Sequence, residues 1–188
     1  MVYFKEGKVI AEHGEAKVYK HNDELFLEIG PGHNLWALGS EIKDYIEQLQ
    51  DFPNGDVLEI GLGLGVVSRY ILSFPKVNNL TTIEVNKDVI EVYKEIMELD
   101  DLFIKNFGHK KHNIINRNGL EYIYSSDKKF DFIFLDFYDR IDEDVIPVIK
   151  DMVRGCKRLL KEDGKIMGWF DPYTPVEFVD EFYSIFEL

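Results

Sequence analysis

Residues Asp56–Gly65 read DVLEIGLGLG, and Leu58-Glu59-Ile60-Gly61 within them repeats the Leu27-Glu28-Ile29-Gly30 of LEIGPG thirty-one residues earlier. A glycine turn that lets a nucleotide approach the backbone needs a buried strand before it and a helix after it. It also needs an acid at the end of the next strand. The second copy has all three. DVLEI precedes it, VVSRYIL follows it, and Glu84 closes LTTIE 21 positions after Gly63, near the roughly 20 expected of an acid that takes ribose hydroxyls. For the first copy the matching place falls near Asp51, in or just after a polar helix, and Pro31-Gly32 suits an ordinary tight turn. The first copy therefore reads as a strand leaving a hairpin, and the second as the site. A dinucleotide fingerprint would need glycine at position 66, which is Val66.

Outward from this turn, strand and helix signals alternate. LTTIEVN is followed by KDVIEVYKEIMEL, with Val89, Val92, Tyr93 and Ile96 on one helical face. HNIINRNG and LEYIYSS follow, and then FDFIFLD, a continuous apolar run that reads as buried on both faces. DEDVIPVIKDMVRGCKRLLKEDG reads as one long helix ending at Gly164, KIMGWF as a strand, and PVEFVDEFYSIF as a last helix opened by Pro175. Alternation of this kind predicts a mostly parallel sheet with helices on both faces. Before it, Asn22-Asp23 between strand-like runs predicts a hairpin outside that sheet. SEIKDYIEQLQDF predicts a helix with Ser40 as N-cap and Ile42, Tyr45, Ile46 and Leu49 on its apolar face.

Composition limits the function classes. The chain has 188 residues, 45% of them hydrophobic, and a formal net charge of −13. No apolar run approaches the roughly 20 residues of a membrane span. The opening MVYFKEGKVI lacks the basic-then-apolar order of a signal peptide. Cys156 is the single cysteine, a packed thiol with no internal disulfide partner, which fits a reducing cytoplasm. The short basic groups GHKKH and CKRLLK are flanked by acids, so neither nucleic acid nor membrane is an expected partner. A negative field favours a small cationic substrate. His109 and His112 lack cysteine support, and no metal is expected.

The pattern Glu59-x-Gly61-x-Gly63-x-Gly65 with Glu84 resembles the class I S-adenosylmethionine-dependent methyltransferases, spermidine synthase-like branch, over roughly Asp56 to Phe170. That resemblance implies a Rossmann-like doubly wound sheet and S-adenosylmethionine as cofactor. Glu59, Gly61, Gly63 and Gly65 would wrap its methionine part, Glu84 its ribose, and Val85 and Asn86 its adenine. Asn118-Gly119 matches an acid-Gly pair that reads the adenine amino group, with Asn in place of Asp. Asp136-x-x-Asp139 resembles the D-x-x-D of the aminopropyltransferases, and LDFYD the aspartate-bearing loop of guanidinoacetate methyltransferase. Asp136 or Asp139 would take a proton from an attacking amine, and Phe137 and Tyr138 would stack on a cationic group.

Two departures favour methyl over aminopropyl transfer. The spermidine synthases carry an Asp in the glycine turn where Leu64 stands, and a proline where Arg140 stands. The expected function is therefore methyl transfer to an amine or guanidine. Aminopropyl transfer from decarboxylated S-adenosylmethionine and a non-catalytic cofactor-binding subunit are the alternatives. The expected sheet has five parallel strands in the order 3-2-1-4-5, with a shortened C-terminus and an N-terminal hairpin or a second subunit of a homodimer over its open edge. Residues 1–39 form the hairpin extension and a lid bearing Trp36, and residues 40–188 the cofactor-binding domain.

Overall fold

A computed structural model describes residues 7–22, 24–30, 34–38, 42–50, 52–99 and 110–187, with backbone alone for 34–38, 98 and 99. Its main sheet is parallel and five-stranded, built from β5 (Gly55–Ile60), β6 (Val77–Glu84), β7 (Lys111–Asn116), β8 (Phe130–Leu135) and β9 (Leu160–Gly168). The spatial order is β7-β6-β5-β8-β9, which is the expected 3-2-1-4-5. The centre of the sheet is apolar because helices cover both faces. Phe132, Ile133, Phe134 and Leu135 of β8 and Val57 and Leu58 of β5 are fully buried.

The N-terminal region is larger than the expected hairpin. It is a four-stranded antiparallel meander of β1 (Lys8–His13), β2 (Ala16–His21), β3 (Glu24–Ile29) and β4 (Asn34–Leu38). Asn22, with φ 54°, opens the β2–β3 turn, where antiparallel twist favours a positive φ. Asp23, Pro31-Gly32, Ser40, His109 and the side chain of Trp36 lie outside the described residues. Among the described residues the meander forms its own sheet, separate from the β7-β6-β5-β8-β9 sheet. It docks on α3 (Lys87–Leu99), where Glu15 N–H donates to Asp88 Oδ2 at 3.1 Å and His13 Nε2 lies 3.1 Å from Glu95.

The remaining helices are α1 (Ile42–Leu49), α2 (Val66–Ser73), α4 (Gly119–Ser125), α5 (Val145–Lys157) and α6 (Val176–Phe186). Val89, Val92, Tyr93 and Ile96 of α3 are buried together, and α6 does follow Pro175. The long helix is shorter than its sequence suggests. It stops at Lys157, and RLLKEDG passes into β9 instead of running helically to Gly164. Leu159 is fully buried, and its carbonyl accepts Phe130 N–H at 2.8 Å. Past it the backbone turns through Asp163 at φ 63°. Lys161 Nζ meets Asp131 at 2.7 Å and Asp56 at 3.0 Å. Helix-forming composition yields here to a buried anchor and a charge cluster that local propensity does not reveal.

Candidate active site

The site is built where β5 ends. Gly61 N–H donates to Ile83 O at 2.9 Å and Asp136 N–H to Ile60 O at 2.8 Å, so the three central strands release their chains at one level. Gly61 has φ 101°, and a Cβ there would stand 1.9 Å from the Asp136 carbonyl oxygen. Gly65 has φ 68° and opens α2, and a Cβ there would fall 2.1 Å from the Tyr93 ring. Both glycines are demanded by backbone conformation and by space.

A cavity of about 580 Å³ opens over this turn. Gly61, Gly63, Glu84, Val85, Asn118 and Gly119 line it on one side. Glu84 is held in place: Oε2 accepts Leu62 N–H at 3.0 Å and Oε1 accepts Asn86 N–H at 2.7 Å. Burial pushes its carboxyl upward, and these N–H groups oppose the shift. Asn118 caps α4, its Oδ1 accepting Glu121 N–H at 3.2 Å, so the residue serves the turn as well as facing the cavity.

Opposite stand Asp136, Phe137, Tyr138 and Asp139, beyond the carboxyl end of β8. Asp136 Oδ2 accepts the Tyr45 hydroxyl of α1 at 2.9 Å. Burial raises the Asp136 carboxyl to about 7, with the Tyr45 bond pulling the other way. Asp139 is exposed at the rim, and Asp142, just before α5, accepts Val145 N–H at 3.0 Å. The Tyr138 hydroxyl is already committed to Trp169 O at 2.6 Å, and burial lifts it far above the usual phenol range. Only its ring and the Phe137 ring, edge to face at 5.0 Å, are left to meet a ligand.

Two of the residues singled out in the sequence do not line the cavity. Gly65 is one. The other is Glu59, fully buried behind the turn, where it accepts Ser68 Oγ at 2.7 Å and the Thr82 hydroxyl. Alternation along β5 turns this carboxylate toward α2, and burial pushes it up to about 8. Sequence reading missed Glu15, Tyr45 and Trp169 as wall residues, along with Leu27 and Ile29 of β3. Tyr45 carried a signal, since the apolar face of α1 included one side chain with a hydroxyl. Trp169 Nε1 is buried with no hydrogen-bond partner among the described residues, a donor that only an acceptor could satisfy.

Residues 46–168 match the family model described as the spermine/spermidine synthase domain. The chain belongs to this family. As a spermine/spermidine synthase domain it is 27% identical, over 171 residues, to the polyamine aminopropyltransferase of Neisseria meningitidis serogroup A, covering 89% of the chain and 58% of that relative. Polyamine aminopropyltransferase 1 of Aquifex aeolicus is 28% identical over 109 residues, covering 58% of the chain and 38% of the relative. The crystal structure of a spermidine synthase from Thermotoga maritima superposes with a TM-score of 0.70 at 20% identity, covering 95% of this chain and 62% of that one. The domain thus spans about three-fifths of the length of the Neisseria and Thermotoga proteins.

These relatives overturn the reading of the chain as a methyltransferase using intact S-adenosylmethionine. The branch was read correctly, and the reaction within it was not. The error lay in the weight given to two single-position departures, Leu64 and Arg140, within a domain that otherwise matches the family. Leu64 is 1% exposed, packed in the cavity wall, and carboxylates on the β8 side face the same space.

Proposed function

We propose that this domain is an aminopropyltransferase, moving the aminopropyl group of decarboxylated S-adenosylmethionine to a small polyamine or diamine. One observation carries the reading: Glu15, Glu84, Asp136 and Asp139 line the cavity, and no Lys, Arg or His does so among the described residues. A carboxylate on a ligand would find no cation there, whereas ammonium groups meet acids along both walls. In this reading Glu84 holds the ribose hydroxyls, Val85, Asn118 and Gly119 flank the adenine, and Gly61 and Gly63 let the sulfonium approach. Asp136, oriented by Tyr45, takes the proton that the attacking nitrogen must lose, and Asp139 holds a second ammonium at the rim.

The sulfonium supplies an activated leaving group, so the domain's work is alignment and proton removal. The division at residues 39 and 40 then separates a wall-forming extension from the nucleoside-binding part. The deciding experiment incubates the protein with decarboxylated S-adenosylmethionine and putrescine, then with intact S-adenosylmethionine and the same amine. Spermidine from the first mixture alone is the expected result. Methylated amine from the second would sink the proposal.

The Asp136 carboxyl also gives the binding of amines a direction with pH. It is neutral below about 7 and anionic above. Affinity for a cationic amine should therefore rise as pH passes from 6 to 8, and Asp136→Asn should flatten that rise. Calorimetric titration with putrescine at several pH values tests both.

A further inference from the structure

Behind the glycine turn, a path of hydrogen bonds crosses the sheet without lining the cavity. Tyr93 Oη of α3 lies 3.3 Å from His112 Nδ1, and His112 Nε2 of β7 lies 2.8 Å from Thr82 Oγ1 of β6. The Thr82 hydroxyl donates to Glu59 of β5, which also accepts Ser68 Oγ of α2 at 2.7 Å. Glu59, Thr82 and Ser68 are fully buried, and Tyr93 is 4% exposed.

Both ends of this path meet the turn. Glu59 stands two residues before Gly61 and binds the first turn of α2, while the Tyr93 ring fills the space beside Gly65. His112 joins the two ends. Its imidazole is also edge to face with the Tyr93 ring, centroids 5.8 Å apart. Burial pushes His112 down to about 4, so the ring is neutral at ordinary pH, with one donor nitrogen and one acceptor nitrogen. Whichever way the protons run, losing the ring cuts the link between Thr82 and Tyr93.

We propose that His112 is a positioning residue for nucleoside binding, holding the two ends of the Gly61–Gly65 turn through Thr82–Glu59 on one side and Tyr93 on the other. It touches no ligand and acts through the turn. The inference rests on the turn's being the nucleoside site, as the proposed function requires. It goes beyond that reading by assigning a role to an outer-strand histidine that no glycine-turn motif contains.

The test compares wild type, His112→Phe and His112→Gln in calorimetric titrations with 5′-methylthioadenosine, the thioether that aminopropyl transfer would leave. His112→Phe keeps ring bulk and removes both nitrogens. It should weaken binding about tenfold, as expected for the loss of one to two buried hydrogen bonds. It should also raise KM for the nucleoside substrate and leave kcat at saturation unchanged. His112→Gln offers a donor and an acceptor on one amide and should restore affinity to within about threefold of wild type. Tyr93→Phe is the second probe should His112→Phe not fold. It should weaken the nucleoside and shift the ¹⁵N resonances of His112, because Nδ1 loses its partner. Wild-type affinity in His112→Phe, or in Tyr93→Phe where it serves as the probe, would overturn the inference and leave the proposed function standing. Equal losses in the Phe and Gln variants would do the same. If wild type does not bind 5′-methylthioadenosine, both readings fall together.

Discussion

Replacing Asp136 by asparagine is expected to lower turnover by about 10²- to 10⁴-fold, the span typical of losing a general base. Asn keeps the shape and can still accept the Tyr45 hydroxyl, which now reaches Asp136 at 2.9 Å. It removes a group beyond β8 that combines a raised carboxyl, to about 7, with a place on the cavity wall. Folding should be unharmed, because burial already disfavours the anion at this position. Affinity for 5′-methylthioadenosine should stay within about threefold, since no bond to the glycine turn is lost. Steady-state kinetics and calorimetry on the same preparation check both halves. Wild-type turnover in the variant would remove Asp136 from the reaction.

Gly61→Ala should be the most damaging single change to the fold. The added methyl would lie 1.9 Å from the Asp136 carbonyl oxygen and 2.6 Å from its carbon, at φ 101°. Both backbones are tied into the central strands through the Ile83 and Ile60 carbonyls, so neither can step aside. A loss of about 4 kcal/mol or more is expected, lowering Tm by roughly 8–16 °C for a chain of this length. Gly30 is the matching glycine of the first LEIG copy. It has φ 80° with nothing among the described residues within 4 Å, so Gly30→Ala should cost only about 1–2 kcal/mol of left-handed strain. Thermal melts of the two variants compare the copies directly. Equal shifts would mean that the space beside Gly61 is not what holds the turn.

The parallel sheet was legible because its signals are local and repeated. FDFIFLD could hardly be anything but a buried strand, and the distance from Gly63 to Glu84 reports one strand–helix–strand unit. The end of α5 was illegible for the opposite reason. KEDG suits a helix, and what stops it is Lys161 finding Asp56 and Asp131, partners 105 and 30 residues away in sequence. In the site, Glu84, Asn118 and Asp136 could be placed because each sits at a strand end. Glu59 was misplaced by one layer, since a motif gives position along the chain but not which face of β5 a side chain takes. Tyr45 and Glu15 come from elements whose packing onto the turn no periodicity encodes.

The N-terminal meander has a consequence for how the chain can be divided. Leu27 and Ile29, from the LEIG copy that is not the turn, face the same cavity as Gly61 and Gly63, and Glu15 faces it from the β1–β2 turn. The repeated tetrapeptide thus supplies floor and ceiling of one chamber. A fragment starting at α1 would keep the glycine turn, Glu84 and Asp136 but turn the chamber into an open trough. The nucleoside that the proposed function places there would then be open to solvent on the side where Asn86 Nδ2 now donates to Glu15 at 3.0 Å.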